Sequence, residues 1–271
     1  MQSIPVYIPK WALWQDQAEY PTLMTHMSNG QPTGIDKKDL ARGIAPAWRR
    51  RLDLFGRASA EVLGRVLEGA STDDVRNTRV VFASRHGNIE RTLKLLGQIA
   101  REEIPSPADF SMSVHNALVG VASINWAITQ SHSAISAGND SFVAALTEAL
   151  SQLSDDPHSP VAIVYIDLAL PDVYAQNDPE GTRGTAFAMI MTSPLADTAT
   201  TPAPGAAFCF EPRPVAADEV APQPPFARTH ARMMADFLKN SHPCDTPPSP
   251  PAPTSCLLAG RSFAWHMVRN G

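Results

Sequence analysis

The sequence predicts an α/β protein, with helices layered on a sheet. Three observations carry that expectation. Short apolar runs recur at 79–84, 161–166 and 186–191, each bounded by polar residues as buried strands are. Longer segments before and between them place apolar residues at helical spacing. Strands and helices alternate from 79 to 191, the order of a layered α/β domain. The 271 residues, 44% of them hydrophobic, are enough for a large core.

In chain order, residues 4–8 alternate weakly, and Pro5 and Pro9 restrict them to an edge strand. Residues 15–45 are polar and glycine-rich without a period, and read as a surface excursion. A helix is expected over 46–68. Pro46 suits its first turn, and Leu52, Phe55, Val62, Leu63 and Val66 share one face with Trp48. After a loop at 71–77, the 79–84 run is short enough to be a buried, parallel strand. Asn88 caps a helix whose stripe is Ile89, Leu93, Leu96 and Ile99, stopped by Pro105 and Pro107. The helix expected at 116–129 is apolar nearly all round, which predicts burial in a core or an interface, and Asn116 is its N-cap.

A short strand and a tight turn follow at 133–139. Asp140 then caps an amphipathic helix with Phe142, Val143, Leu146, Leu150 and Leu153 as its stripe. A turn is expected at 178–183 and a further strand at 206–210. Composition shifts after Thr192 toward proline and alanine. The expected organisation is a domain over 1–191 and a short irregular extension over 192–271. The extension carries one helix near 229–240, a proline-rich linker at 242–255 and a terminal edge strand at 261–268.

Charge and cysteine usage exclude several classes. The net charge is -5, without the basic excess of a nucleic-acid binder. The Arg49, Arg50, Arg51 run reads as a solvated helix face. Cys209, Cys244 and Cys256 are far apart and odd in number, so neither a disulfide framework nor a zinc site is expected, and a reducing cytoplasm fits. The first residues lack a basic region followed by an apolar run, so no signal peptide is expected. No apolar stretch approaches the ~18 residues of a membrane span. Metal and nucleotide-cofactor motifs are absent, and no cofactor is expected.

The residues that could carry chemistry sit in three places. The first is Ser84-Arg85-His86-Gly87, directly after a strand. Arg-His-Gly at such a place resembles histidine phosphatases, in which the imidazole is phosphorylated and arginines hold the phosphoryl oxygens. Here the run stands some 80 residues into the chain, and only His115 is a candidate second histidine. The bland reading is a loop that shapes a pocket or an interface. The second place is His115 and Asn116, at the start of the buried helix. The third is the turn at 133–141. A strand–turn–helix of that kind is where many α/β enzymes place a nucleophile, yet Gly138 stands at its apex. Ser136 and Ser141 are the serines available for a hydrolase, with His132 or His115 as base; local capping is the bland role of both.

Four stretches together resemble the N-terminal half of a β-ketoacyl synthase, a thiolase-like fold. They are Arg49-Arg50-Arg51-Leu52 with its helix, the block 106–120, Ser133-Ala-Ile-Ser-Ala-Gly-Asn-Asp-Ser141, and the strands at 161–166 and 186–191. The resemblance covers about residues 5–191. The block Ser-Pro-x-x-Phe-x-x-Ser-Val-His-Asn-Ala, Ser106 to Ala117, is similar to ketosynthase-like subunits of aryl polyene pathways. The resemblance implies that Gly138 stands where an active synthase carries its cysteine, and that the catalytic histidines of a second half are missing.

Condensation needs the thiolate to hold the acyl chain and the histidines to drive decarboxylation. The implied function is therefore a non-catalytic subunit of chain-length-factor type. It would pair as a heterodimer with an active β-ketoacyl synthase, shape its acyl tunnel, and meet acyl carrier protein through that complex. Phe110, His115, Asn116, Gly138 and Asn139 would lie at the interface or tunnel end. Arg85, His86 and Ser136 remain pocket candidates. The other readings are a phosphatase or hydrolase using His86 or Ser136, and a stand-alone module that binds acyl groups or acyl carrier protein.

Overall fold

The computed structural model describes residues 3–17, 20–28, 30–178, 184–195, 207–215, 227–240, 254–261 and 263–269. It opens with β1 (Ile4–Gln15), β2 (Thr22–Thr25) and β3 (Thr33–Gly34). The helices α1 (Pro46–Arg49), α2 (Leu54–Leu67) and α3 (Thr72–Arg76) lead into β4 (Arg79–Ala83). Next come α4 (Ile89–Ala100), α5 (Pro107–Ser111), α6 (Ala117–Trp126) and β5 (His132–Ile135). The chain continues through α7 (Ser141–Asp155), β6 (Val161–Asp167), β7 (Thr185–Thr192) and β8 (Ala207–Pro214). It closes with α8 (Ala227–Lys239), β9 (Ser255–Ala259) and β10 (Phe263–Arg269).

One mixed sheet runs in the order β5-β4-β6-β7-β1-β8-β10-β9, with β2 and β3 beside β1. The pairs β5–β4 and β4–β6 are parallel, as the short unalternating runs predict, and the pairs from β6 outward are antiparallel. Each face of the sheet has its own core. Alternation along β1 shows it: Trp11 and Leu13 join α7 and α8 on one face, Ala12 and Trp14 join α2 and α6 on the other. The sheet coils around its helices. Trp265 on β10 lies beyond β8 in strand order, yet its Nε1–H donates to Thr147 Oγ1 of α7 at 2.9 Å.

Several expectations change. β1 is not an edge strand: β7 takes one side of it, while β8 and β2 share the other. Pro9 is tolerated because the register with β7 shifts around it, between Tyr7 and Lys10, and Pro5 lies opposite Cys209 of β8, before the β7 ladder begins. The 46–68 helix is two helices, because Asp53 leaves helical geometry to cap α2, accepting from Gly56 N at 3.1 Å. The polar 15–45 stretch contains β2 and β3.

Neither Asn116 nor Asp140 caps with its side chain. Ser141 Oγ does that work for α7's entry, accepting from Ala137 N and donating to Gly138 O. α6 buries Leu118, Val119, Val121 and Ala122 and leaves Ile124 in solvent. β10 lies between β8 and β9, so β9 rather than β10 is the edge. The described residues beyond 192 are regular: three strands and a helix that continue the same sheet and core. The expected linker at 242–255 and turn at 178–183 lie mostly outside the described residues.

Candidate functional site

The turn at 136–141 links β5 to α7 and stands on the surface at the sheet edge. Gly138 has φ +60, and a Cβ built on it meets nothing within 4 Å. Glycine suits that backbone because L side chains are strained there by about 1 kcal/mol. Three contacts hold the turn from below. Ser136 Oγ donates to Arg85 O at 3.0 Å, His115 Nε2 bonds Ile135 O at 2.9 Å, and Ser141 Oγ closes the helix entry.

The partner of His115 decides its chemistry. A carbonyl oxygen only accepts, so Nε2 carries the proton. Nδ1 faces Gly87, where a Cβ would approach it to 3.1 Å, and the ring packs edge-on against Phe82 at 5.5 Å. The imidazole is a strut between β5 and the 84–87 loop. The Ser136 hydroxyl donates its hydrogen bond to a backbone carbonyl. The described hydrogen bonds include none between Ser136 and any histidine.

The 84–87 loop is organised by a residue that sequence reasoning passed over. Asp167 ends β6 and is 3% exposed. It accepts from Ser84 Oγ at 2.8 Å, Tyr165 Oη at 2.5 Å, Arg85 N at 3.0 Å and His86 N at 3.3 Å. Ser84 Oγ in turn accepts from Gly87 N at 2.8 Å. Burial pushes the Asp167 carboxyl above the ordinary carboxylate range, against the pull of Tyr165 and Ser84. Burial also lowers His86, with Asp167 pulling it up and Arg85 pushing it down.

The cleft that His86 lines with Asp167, Phe55 and Leu168 holds about 10 Å³. That is room for about one water and too little for a phosphorylated substrate. Gly87 adopts φ +62, so the Arg85-His86-Gly87 run is accounted for by a buried carboxylate and a tight turn. The sequence did carry one signal for this hub. Tyr165 and Asp167 sit two apart on one strand, on one face, at the end of an apolar run.

The 106–120 block is fixed by a charge network. Arg91 pairs with Asp53 at 2.8 Å and with Asp109 at 2.8 Å, and Lys94 adds a second contact to Asp109 at 2.6 Å. Lys94 holds the Asp109 carboxyl below its usual range. The network ties α2, α4 and α5 together and leaves Phe110 outside, 64% exposed. Asn116 is exposed and Asn139 half-buried. Among the described residues twelve large hydrophobics are exposed, and half of them, Leu96, Ile99, Ile104, Phe110, Val114 and Ile124, fall in the span from α4 to α6. Exposed apolar residues that cluster are candidates for an interaction surface.

Among the described residues β5 pairs with β4 alone. Ser131 O and Ile135 O accept from β4, so the peptide groups of residues 132 and 134 point outward. An open edge of this kind is a template for another strand. Among the described residues no group of three or more histidines, cysteines or acids could hold a metal ion, and no helix is long and apolar enough to cross a membrane.

None of the curated proteins compared with the chain matches it. Solved structures do. One, the ketosynthase ApeO in complex with its chain length factor ApeC from Xenorhabdus doucetiae, matches with TM-score 0.67 and 21% identity, over 98% of this chain and 100% of that one. The ishigamide ketosynthase/chain length factor matches with TM-score 0.54 and 13% identity, over 79% of this chain and 68% of that one. A β-ketoacyl synthase from Burkholderia phymatum matches with TM-score 0.52 and 14% identity, over 87% and 69%. At these identities the likeness is one of fold, the thiolase-like fold of ketosynthases. The family model for the N-terminal domain of β-ketoacyl synthases matches residues 11–238, most of the chain, and the protein belongs to that family.

Proposed function

We propose that the chain is a non-catalytic, chain-length-factor-type subunit that docks on an active β-ketoacyl synthase. The observation that carries this reading is the elbow. It keeps the strand–turn–helix of a nucleophile site, is braced by Ser136, His115 and Ser141, and presents Gly138 at its apex. Gly138 then occupies the place of the family's cysteine, and the chain holds no thiol there to carry an acyl group.

The open edge of β5 and the exposed apolar residues of α4 to α6 provide the docking face. Phe110, Asn116 and Asn139 lie at its rim or at the end of the partner's acyl tunnel, and His115 braces it from inside. Arg85, His86 and Ser136 support the elbow. The likeness of fold to complexes of ketosynthases with chain length factors supports this partner class. The product of such a pair is a polyunsaturated, aryl-capped chain assembled on acyl carrier protein.

The test is co-expression of the tagged chain with an active β-ketoacyl synthase from the same organism, followed by mass determination of the purified species. A stable 1:1 complex is expected, and Ala134→Pro, which removes an outward N–H of β5, is expected to abolish it. A lone monomer that ignores the ketosynthase refutes the proposal.

A further inference from the structure

Beside the elbow, on the α7 side of β5, lies a groove of about 500 Å³. Ile135, Val143, Ala144 and Phe263 form its apolar walls, and Asp140 and Glu148 are its carboxylates. Glu148 is held against the edge strand. Its Oε1 accepts from Ser133 Oγ of β5 at 3.0 Å and from Gln152 Nε2 at 2.7 Å. Its Oε2 has no hydrogen-bond partner among the described residues. Asp140 Oδ2 accepts from Arg261 N at 3.3 Å, while its buried Oδ1 has no partner among the described residues. A Cβ at Gly260 would lie 3.3 Å from that Oδ1, so Asp140 is the deeper carboxylate and Glu148 the outer one. The one cation lining the groove is Arg261, whose backbone N–H bonds Asp140 and whose side chain has no ion pair with either acid among the described residues.

We propose that this groove receives a lysine or arginine side chain from the ketosynthase segment that runs beside β5. The inference rests on the heterodimer reading and assigns a chemical partner to one part of the interface. Two properties of the groove select that occupant. Its acids outnumber its cations, which favours positive charge. Ile135, Val143, Ala144 and Phe263 line it beside the acids, which suits a long aliphatic stem carrying a charged head. Position selects the source. Ile135 is the last residue of β5 and Ser133 positions Glu148, so a strand added to the open edge passes the mouth of the groove.

The experiment measures binding of the purified chain to the ketosynthase with which it co-purifies, by calorimetry at low and at high salt. Glu148→Gln keeps the shape and the bonds to Ser133 and Gln152. It is expected to weaken the complex about tenfold at low salt, and less at high salt, mostly through faster dissociation. Glu148→Lys, which reverses the charge and also gives up the bonds accepted from Ser133 and Gln152, is expected to weaken it further. Arg261→Ala is expected to leave affinity unchanged or to raise it.

Wild-type affinity for Glu148→Gln at both salts overturns the inference while leaving the heterodimer intact. A loss with Arg261→Ala as large as that with Glu148→Gln also overturns it, because the groove's cation is then the chain's own. Absence of any wild-type complex overturns the heterodimer reading and this inference together.

Discussion

Replacing Asp167 tests whether one buried carboxylate holds the elbow in place. Asp167→Ala removes the acceptor of four donors. The Ser84 and Tyr165 hydroxyls can turn toward other partners. The Arg85 and His86 amides are fixed by the chain and cannot. Each fixed amide left unpaired costs about 1–3 kcal/mol, so a loss of about 4 kcal/mol is expected. For a chain of this size that lowers Tm by about 8–16 °C. Asp167→Asn keeps one acceptor and the shape, and is expected to cost about 1–2 kcal/mol.

The pH dependence tests the direction of the shift. Burial raises the carboxyl's pKa in the folded state against the pull of the Tyr165 and Ser84 hydroxyls, so the folded protein favours the protonated acid more than the unfolded chain does. The stability this contributes is complete below the ordinary carboxylate value. It is lost as pH rises through the raised one. The wild-type advantage over Asp167→Asn is therefore expected to shrink from acid toward neutral pH. Urea unfolding across that range, followed by tryptophan fluorescence, measures it. An Asp167→Ala loss below about 1 kcal/mol would show that the loop is held by other contacts. An advantage that grows with pH would show that the hydrogen bonds, and not burial, govern the acid.

Two further substitutions probe the elbow itself. His115→Ala removes the bond to Ile135 O and the edge contact with Phe82, and is expected to cost about 2–3 kcal/mol, with His115→Phe recovering the packing part; equal losses for the two variants would show that the ring's packing contributes nothing. Gly138→Cys is expected to fold with about 1 kcal/mol lost to its positive φ. Its thiol is expected to react rapidly with maleimide, because a Cβ there meets open space, and to gain no condensing activity alone; a thiol as slow as the buried Cys256, pushed up to about 11, would mean the elbow is closed.

How far the fold was legible depended on how local its causes are. The 79–84, 161–166 and 186–191 runs are strands because an unbroken apolar tetramer or hexamer between polar ends has few alternatives to a buried sheet. The stripe of α7 and the capping side chain of Asn88 are likewise contained within a few residues. The Gly138 turn was readable as an elbow because strand, glycine and helix start stand in immediate succession. These features need no knowledge of distant neighbours.

The features that escaped depend on distant partners. β1 looked like an edge because of its prolines, and it became central because β7, β8 and β2, far along the chain, closed around the register shift at Pro9. Asn116 looked like a cap and is not one. The Arg-His-Gly run looked like chemistry, and Asp167, 82 positions from Arg85, makes it a braced turn. By itself the sequence determined the layered α/β class, most strands and helices and the glycine at the elbow, because those are set by periodicity and by residues in succession, while the family showed through the resemblance of its motif stretches. Only the tertiary structure decided which strand lies at the edge, which apolar residues stay in solvent and which carboxylate holds the loop, because burial and long-range hydrogen bonds exist only after the chain has closed on itself.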